Sequence, residues 1–139
     1  MSTTIIIILV FLCVLVGFIT VNYFRMKNAK PIANSKKIRV LNNKNYKTIS
    51  RKGVWLVDFS SASYAPCKAM IPVLNDIAET NDDFGVAKVN VEHNQQMAKK
   101  FKVQSIPTML VLKNGKECAR IVGIKTKRTI MKEVRAVMS

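Results

Sequence analysis

The sequence predicts an α/β domain, a mixed central sheet with helices on both faces, preceded by one N-terminal transmembrane helix. Three observations predict it. An uncharged apolar run extends from Ile5 to Phe24, strand-like and helix-like segments alternate after it, and an Asn-Gly turn (residues 114–115) joins the last two strand-like segments. Strand–helix–strand repeats imply parallel pairs and the closing hairpin adds antiparallel ones, so the sheet must be mixed.

The apolar run "IIIILVFLCVLVGFITVNYF" has the length that a helix needs to cross the hydrocarbon core of a bilayer. A cleavable signal peptide is the alternative, but it normally has a basic start, a shorter apolar run and a small-residue cleavage site. Here "MSTT" carries no basic side chain, and the run ends in bulky Tyr23 and Phe24. We therefore predict an uncleaved anchor over residues 4–24.

A basic linker is predicted over residues 25–37, "RMKNAKPIANSKK". Its charges follow the anchor and none precedes it, so the positive-inside rule places the C-terminal part of this single-pass chain in the cytoplasm. The formal net charge of +15 favours attraction to anionic lipid headgroups. Nucleic acid is the alternative acidic partner, but the lysines are scattered and not interleaved with aromatic residues.

The domain predicted over residues 38–139 begins with a short strand (37–41) and a polar helix (42–53) closed by Gly53. A continuous apolar strand (54–60) is typical of a sheet buried on both faces. The next helix runs from Pro66 to about Thr80, and Pro72 inside it predicts a kink. The remaining elements are a strand (84–92), a helix (94–101), a strand (108–113), its hairpin partner (116–123) and a last helix (127–138).

Three segments carry a resemblance to a known family: "VWLVDFSSASYAPCKAMIPVLNDIA" (54–78), "VAKVNVEHNQQMAKKFKVQSIPTMLVLKNGK" (86–116) and "IVG" (121–123). They resemble thioredoxin, over about residues 38–139, and the resemblance implies the thioredoxin fold. The family's active-site turn reads Trp-Cys-Gly-Pro-Cys, whereas this chain reads "SYAPC". Tyr64 therefore stands where the attacking cysteine is expected, and Cys67 corresponds to the second, resolving cysteine.

The resemblance also implies supporting residues. Asp58 corresponds to a buried acid that assists proton transfer at the resolving thiol, and Lys88 to the lysine beside it. The pair Ile106 and Pro107 predicts a cis peptide bond. The resemblance implies a groove that pairs with extended peptides, and its predicted members are Tyr64, Pro66, Ile106, Pro107 and Gly123.

The substitution at Tyr64 excludes dithiol turnover on chemical grounds. A phenol with an ordinary pKa of about 10 neither attacks a disulfide nor forms one with Cys67. Cys67 then has three interpretations: a packed relic whose shielding raises its pKa, a single-thiol centre that forms mixed disulfides or a sulfenic acid, or the partner of a tyrosine that is not native. A single base change separates Cys and Tyr codons.

Two classes of function remain. The first is a non-enzymatic, membrane-tethered module that binds a protein partner at the membrane or serves as a structural subunit. The alternative is a single-thiol redox protein or sensor using Cys67. No cofactor or metal is expected: Cys13 lies in the anchor, His93 is predicted at the surface, and Cys118 is predicted to pack in the core or at the sheet edge.

Overall fold

The structure is a computed structural model that describes residues 2–139. The chain divides into two compact units after Pro31. The first unit contains helix α1 (Thr3–Asn28), which is long and apolar enough to cross a membrane, by length and composition; an 18-residue stretch of it has a mean hydropathy of 3.2. The helix contains the predicted anchor and continues past it, because no helix breaker occurs before Pro31 and basic side chains in the last turn suit the helix dipole.

The second unit is built on one five-stranded sheet. Its strands are β1 (Arg39–Leu41), β2 (Val54–Ser60), β3 (Gly85–Asn90), β4 (Thr108–Lys113) and β5 (Lys116–Val122). Their spatial order is β1-β3-β2-β4-β5, with β1, β3 and β2 parallel, and with β4 and β5 antiparallel to their neighbours. The predicted mixed sheet is confirmed.

Four helices cover the two faces of the sheet: α2 (Tyr46–Ile49), α3 (Ala65–Thr80), α4 (Gln95–Lys100) and α5 (Lys127–Met138). Apolar residues of α3 and α5 pack on one face, around Leu56 and Met109. Residues of α2 and α4 pack on the other, around Val57 and Phe59. Successive residues of β2 thus serve opposite cores, which explains why this strand has a continuous apolar sequence.

The polar helix predicted over residues 42–53 is a single turn, α2. Asn42 Oδ1 accepts hydrogen bonds from the backbone N–H groups of Lys44 and Asn45, each at 2.9 Å. Asn45 Oδ1 in turn accepts one from Asn42 N–H at 2.8 Å. Asparagine side chains compete in this way with helical backbone bonds, so the segment forms a turn before a helix can extend.

The linker predicted over residues 25–37 differs at both ends. Its first residues belong to α1, and its last residues are fastened to α3. Asn75 Oδ1 accepts from the backbone N–H of Ser35 at 2.7 Å, and Asn75 Nδ2 donates to the carbonyl of Ala33 at 2.8 Å. Lys37 forms an ion pair with Asp82 at 3.0 Å. The compact unit therefore begins at Ile32.

Candidate functional site

The loop from Ser61 to Tyr64 connects the carboxyl end of β2 to α3. Tyr64 is the N-cap residue of α3, with extended backbone angles. Its carbonyl accepts hydrogen bonds from the N–H groups of Cys67 and Lys68, each at 3.1 Å. Pro66 in the first turn favours this start, because its fixed φ is helical and its missing N–H would have no helical partner. The Tyr64 side chain is 47% exposed.

Cys67 lies in the first turn of α3, and only 3% of its surface is exposed. Burial raises the pKa of the thiol, and the negative charge of Asp58 raises it further. A hydrogen bond from the Ser61 backbone and the positive charge of Lys88 act in the opposite direction, without reversing the shift. The thiol is therefore shielded and protonated at neutral pH, which makes it a poor nucleophile.

Asp58 is buried in β2, with 1% of its surface exposed. Within residues 2–139, its Oδ1 atom has no hydrogen-bond partner. Burial raises the pKa of Asp58 to about 6, although the Ser60 hydroxyl and the charge of Lys88 both lower it. A carboxyl group with this pKa is able to gain or lose a proton near neutral pH.

Lys88 lies opposite Asp58 in the register of β2 and β3, as the resemblance implies. Its ammonium group instead donates to Asn34 Oδ1 at 3.1 Å. None of the ion pairs that the described residues form joins Lys88 to Asp58. Lys88 thus acts on Asp58 through its charge, from the adjacent strand, and its side chain helps to fasten the segment before β1.

The Ile106–Pro107 peptide bond is cis, as the sequence predicts. Because Phe59 pairs with Thr108, Pro107 lies beside the carboxyl end of β2, where the Tyr64 loop begins. The carbonyl of Pro107 accepts a hydrogen bond from Gly123 N–H at 2.8 Å. Gly123 has a φ of 84°, which a residue with a side chain rarely adopts. This hydrogen bond joins Pro107 to Gly123, and both residues lie at the edge of the sheet where β2 has its carboxyl end.

Two exposed apolar side chains lie next to Gly123, one of the residues of the predicted groove. Val122 and Ile124 flank Gly123 and are 48% and 55% exposed. Neither was predicted as a site residue, although the sequence signal was available: two branched apolar residues around a glycine at the end of an edge strand. Ile106 is partly buried and Pro107 is buried. The exposed apolar surface is therefore provided mainly by Tyr64, Val122 and Ile124.

A second feature missed by sequence reasoning is an anchor for the Tyr64 loop. The carboxylate of Glu92, just after β3, accepts hydrogen bonds from the hydroxyls of Ser61 and of Ser63, the latter at 3.0 Å. These bonds lower the pKa of Glu92. Because β2 and β3 are parallel neighbours, their carboxyl ends bring the serines and the acid together, and the loop that presents Tyr64 is held in place.

The other titratable candidates are peripheral. Cys118 lies on β5, an edge strand, so of the two predicted placements the sheet edge is the correct one; its side chain is exposed and not packed in the core. A register shift between Val111 and Leu112 leaves Cys118 without a residue opposite it on β4. His93 is exposed, as predicted. In the part of the chain that the structure describes, no group of three or more His, Cys, Asp or Glu side chains is placed to hold a metal ion.

Comparison with known proteins gives consistent matches. The family described as Thioredoxin matches residues 37–136. The thioredoxin of Mycobacterium tuberculosis (strain ATCC 25618 / H37Rv) is 43% identical over 84 residues, which are 60% of this chain and 72% of that protein. The thioredoxin of Chlamydia pneumoniae is 32% identical over 90 residues, 65% of this chain and 88% of that protein. Among solved structures, a mutant thioredoxin from Halobacterium salinarum has a TM-score of 0.68, covering 78% of this chain and 96% of that one, and its 24% identity makes this a likeness of fold alone.

Proposed function

The chain belongs to the thioredoxin family and has the thioredoxin fold, and on that basis we propose that it is a membrane-tethered protein-binding or structural module without dithiol catalysis. One observation carries the proposal. An exposed tyrosine, Tyr64, is the N-cap residue of α3, and three residues after it lies a buried cysteine, Cys67, whose pKa is raised. The position that needs an exposed thiolate for catalysis holds a phenol, and the remaining thiol is shielded.

The absence of dithiol catalysis follows from the chemistry of this pair. A thiol–disulfide exchange cycle needs one thiolate to attack and a second thiol to release the product. Cys118 does not supply the missing thiol, because it lies on β5 beside the hairpin turn, exposed and unpaired. With Tyr64 in the capping position, the active-site turn is degenerate and has no internal disulfide to form.

Partner binding is supported by the exposed surface around Tyr64. Tyrosine is a favoured anchor in protein interfaces because it combines a large apolar area with one hydrogen-bonding group. The exposed side chains of Val122 and Ile124 extend this apolar surface beside the Pro107–Gly123 hydrogen bond. The loop that presents Tyr64 is fixed by Glu92, so little ordering is required when a partner binds.

Tethering is supported by helix α1, whose length and composition suit a membrane span. Basic residues at its C-terminal end, including Arg25 and Lys27, favour a cytoplasmic position for the domain. Alkaline carbonate extraction of membranes containing the full chain tests the anchor: the protein should stay in the membrane pellet at its full length. Release into the supernatant, or loss of residues 4–24 from the mature chain, would exclude a tethered module.

A second candidate is a single-thiol redox protein or sensor that uses Cys67. Asp58 favours it, because this buried carboxyl group has an unpartnered oxygen and a pKa raised to about 6, so it can exchange a proton near neutral pH. The relatives named thioredoxin favour a redox role as well. In this alternative Asp58 and Lys88 support proton transfer, and a rearrangement of the Tyr64 loop must expose the sulfur before it reacts.

Capture of partners from membranes distinguishes the two candidates. Tyr64→Ala should reduce partner capture severalfold, whereas Cys67→Ser should leave it unchanged. Val40→Ala serves as the matched control, because Val40 is also an exposed apolar residue (70%) but lies on β1, at the opposite edge of the sheet. The reverse pattern, with capture lost in Cys67→Ser and kept in Tyr64→Ala, would replace the binding module with the single-thiol protein.

A further inference from the structure

Acidic residues are scarce in the chain segments around α2 and α4. No Asp or Glu occurs in residues 42–57 or 93–116, the stretches that contain α2 and α4. The α3 and α5 side instead carries acids in ion pairs, such as Asp76 with Lys127 at 2.8 Å and Asp83 with Arg135. One further acid, Glu117 on β5, is paired with Arg120 at 2.7 Å. None of the ion pairs that the described residues form includes a lysine or arginine from residues 42–57 or 93–116.

These charges share one surface because α2 and α4 are held together. Asn43 Oδ1 accepts from the N–H of Met97 at 3.1 Å, and Asn43 N–H donates to Asn94 Oδ1 at 3.2 Å. Tyr46 and Met97 pack in the same core cluster. We call the exposed surface formed by residues 44–51 and 99–102 the basic face. Its exposed charged residues are Lys44, Lys47, Arg51, Lys99, Lys100 and Lys102.

A cavity of about 330 Å³ opens between the two helices of the basic face. Its lining includes Lys47, Lys100, Tyr46 and Gln96, and contains no carboxylate. Lys100 Nζ donates to the Tyr46 hydroxyl at 2.6 Å, which leaves the phenolic hydrogen and the remaining ammonium hydrogens free for another acceptor. A cleft with donors and no acidic group suits a phosphate-bearing ligand.

We propose that the basic face docks on the anionic headgroups of the membrane that holds α1, and that a headgroup phosphate enters the cleft between Lys47 and Lys100. This inference rests on the tethering in the proposed function. A bilayer is favoured over nucleic acid because an apolar helix suited to span it belongs to the same chain. Docking would fix which side of the domain points away from the membrane, leaving the α3 and α5 side free.

Trp55 provides an intrinsic fluorescent probe for contact between the basic face and the bilayer. Trp55 is the only tryptophan, and it packs with the core cluster beneath the basic face. Its indole N–H donates to the carbonyl of Lys52 at 3.1 Å, and the residue is partly exposed. Quenching of Trp55 fluorescence by a nitroxide on lipid headgroups therefore measures how closely this face approaches the bilayer.

The experiment uses the full chain reconstituted in vesicles of phosphatidylcholine, with or without phosphatidylserine, each containing headgroup-labelled lipid. We expect quenching to rise about twofold or more with phosphatidylserine, and to return to the lower value in high salt. A triple variant, Lys44→Gln, Lys47→Gln and Lys99→Gln, should lose the rise. The control triple, Lys125→Gln, Arg128→Gln and Lys132→Gln, removes the same charge outside the basic face and should keep it.

Each outcome has a distinct meaning. Equal quenching in both kinds of vesicle, or equal loss in the two triple variants, overturns docking through this face while the membrane anchor stands. Failure of the chain to remain with vesicles at alkaline pH overturns the tethering and the docking together. If duplex DNA, and not phosphatidylserine, changes Trp55 fluorescence in a manner that the basic-face triple abolishes, the face binds nucleic acid and the lipid proposal is wrong.

Discussion

Replacing Asp58 with asparagine should stabilise the domain at neutral pH, and the gain should disappear in acid. The carboxyl group is 1% exposed, one of its oxygens has no partner within residues 2–139, and burial raises its pKa from the ordinary value of 3.8 to about 6. A raised carboxyl pKa means that the folded state binds the proton more tightly than the unfolded state. Ionisation of Asp58 therefore opposes folding.

The magnitude follows from the two pKa values. Below about pH 3.8 Asp58 is protonated in both states, and the replacement should change the free energy of unfolding little. Between about pH 4 and pH 6 the wild-type domain should lose about 1.4 kcal/mol per pH unit relative to the variant. Above about pH 6 the difference should level off at about 3 kcal/mol, less any hydrogen bond that the amide fails to make.

Urea denaturation of residues 32–139, followed by Trp55 fluorescence between about pH 4 and pH 8, measures this difference. The fragment should start at Ile32, because a later start would remove the bonds that fasten residues 33–35 to Asn75. Asp82→Asn is the control, since that side chain is 87% exposed and its change should be small at every pH. A stability difference for Asp58→Asn that is independent of pH would refute the reasoning.

One labelling measurement and two substitutions test other parts of the structure. Alkylation of Cys67 should be about a hundredfold or more slower than that of exposed Cys118, because the sulfur reacts only when the helix start opens. Similar rates for the two thiols, followed by mass spectrometry, would show that Cys67 is accessible. Gly85→Ala should cost about 1–3 kcal/mol in urea denaturation, because a Cβ atom there would lie 2.4 Å from the Trp55 ring. An unchanged midpoint and unchanged Trp55 emission would contradict that contact. Thr126→Ala should lower the unfolding free energy by about 1 kcal/mol, because the Thr126 hydroxyl accepts the hydrogen bond that caps α5. A thermal midpoint equal to that of the wild type would mean that the cap contributes nothing.

Apolar patterns in the sequence predicted the elements that are buried most regularly. Strands β2 and β4 are apolar runs buried on both faces, and helix α5 buries apolar residues at helical spacing; all three have the predicted bounds. Side-chain bonds to the backbone are not visible in such a pattern. The asparagines at 42 and 45 form a turn that delays the start of a predicted helix to Tyr46. Asn75 binds the end of the predicted linker, although it lies 40 residues away in sequence.

The sequence predicted which residue types occur at the candidate site, but their burial and hydrogen bonds depend on the fold. Tyr64 and Cys67 can be identified directly in the sequence. The unpartnered oxygen of Asp58 cannot, because it results from packing by several elements. The bond from Ser61 to Glu92 joins residues 31 apart and requires knowledge that β2 and β3 are neighbours. Cys118 is exposed because it alternates with Ala119 and Ile121, which face the core, and an irregular step in the β4–β5 register leaves it without a residue opposite it on β4.

That same irregular step affects how the protein behaves when it is crowded. An exposed edge strand can pair with the edge strand of another copy of the protein. Copies that a membrane anchor confines to one bilayer, as proposed above, would meet often. One edge strand here is β1, only three residues long. The other, β5, is seven residues long, but it is interrupted at Cys118 and carries Lys116 and Arg120. Charges and a break in the ladder discourage pairing between sheet edges, so the membrane tethering proposed above would concentrate the copies without promoting edge-to-edge association.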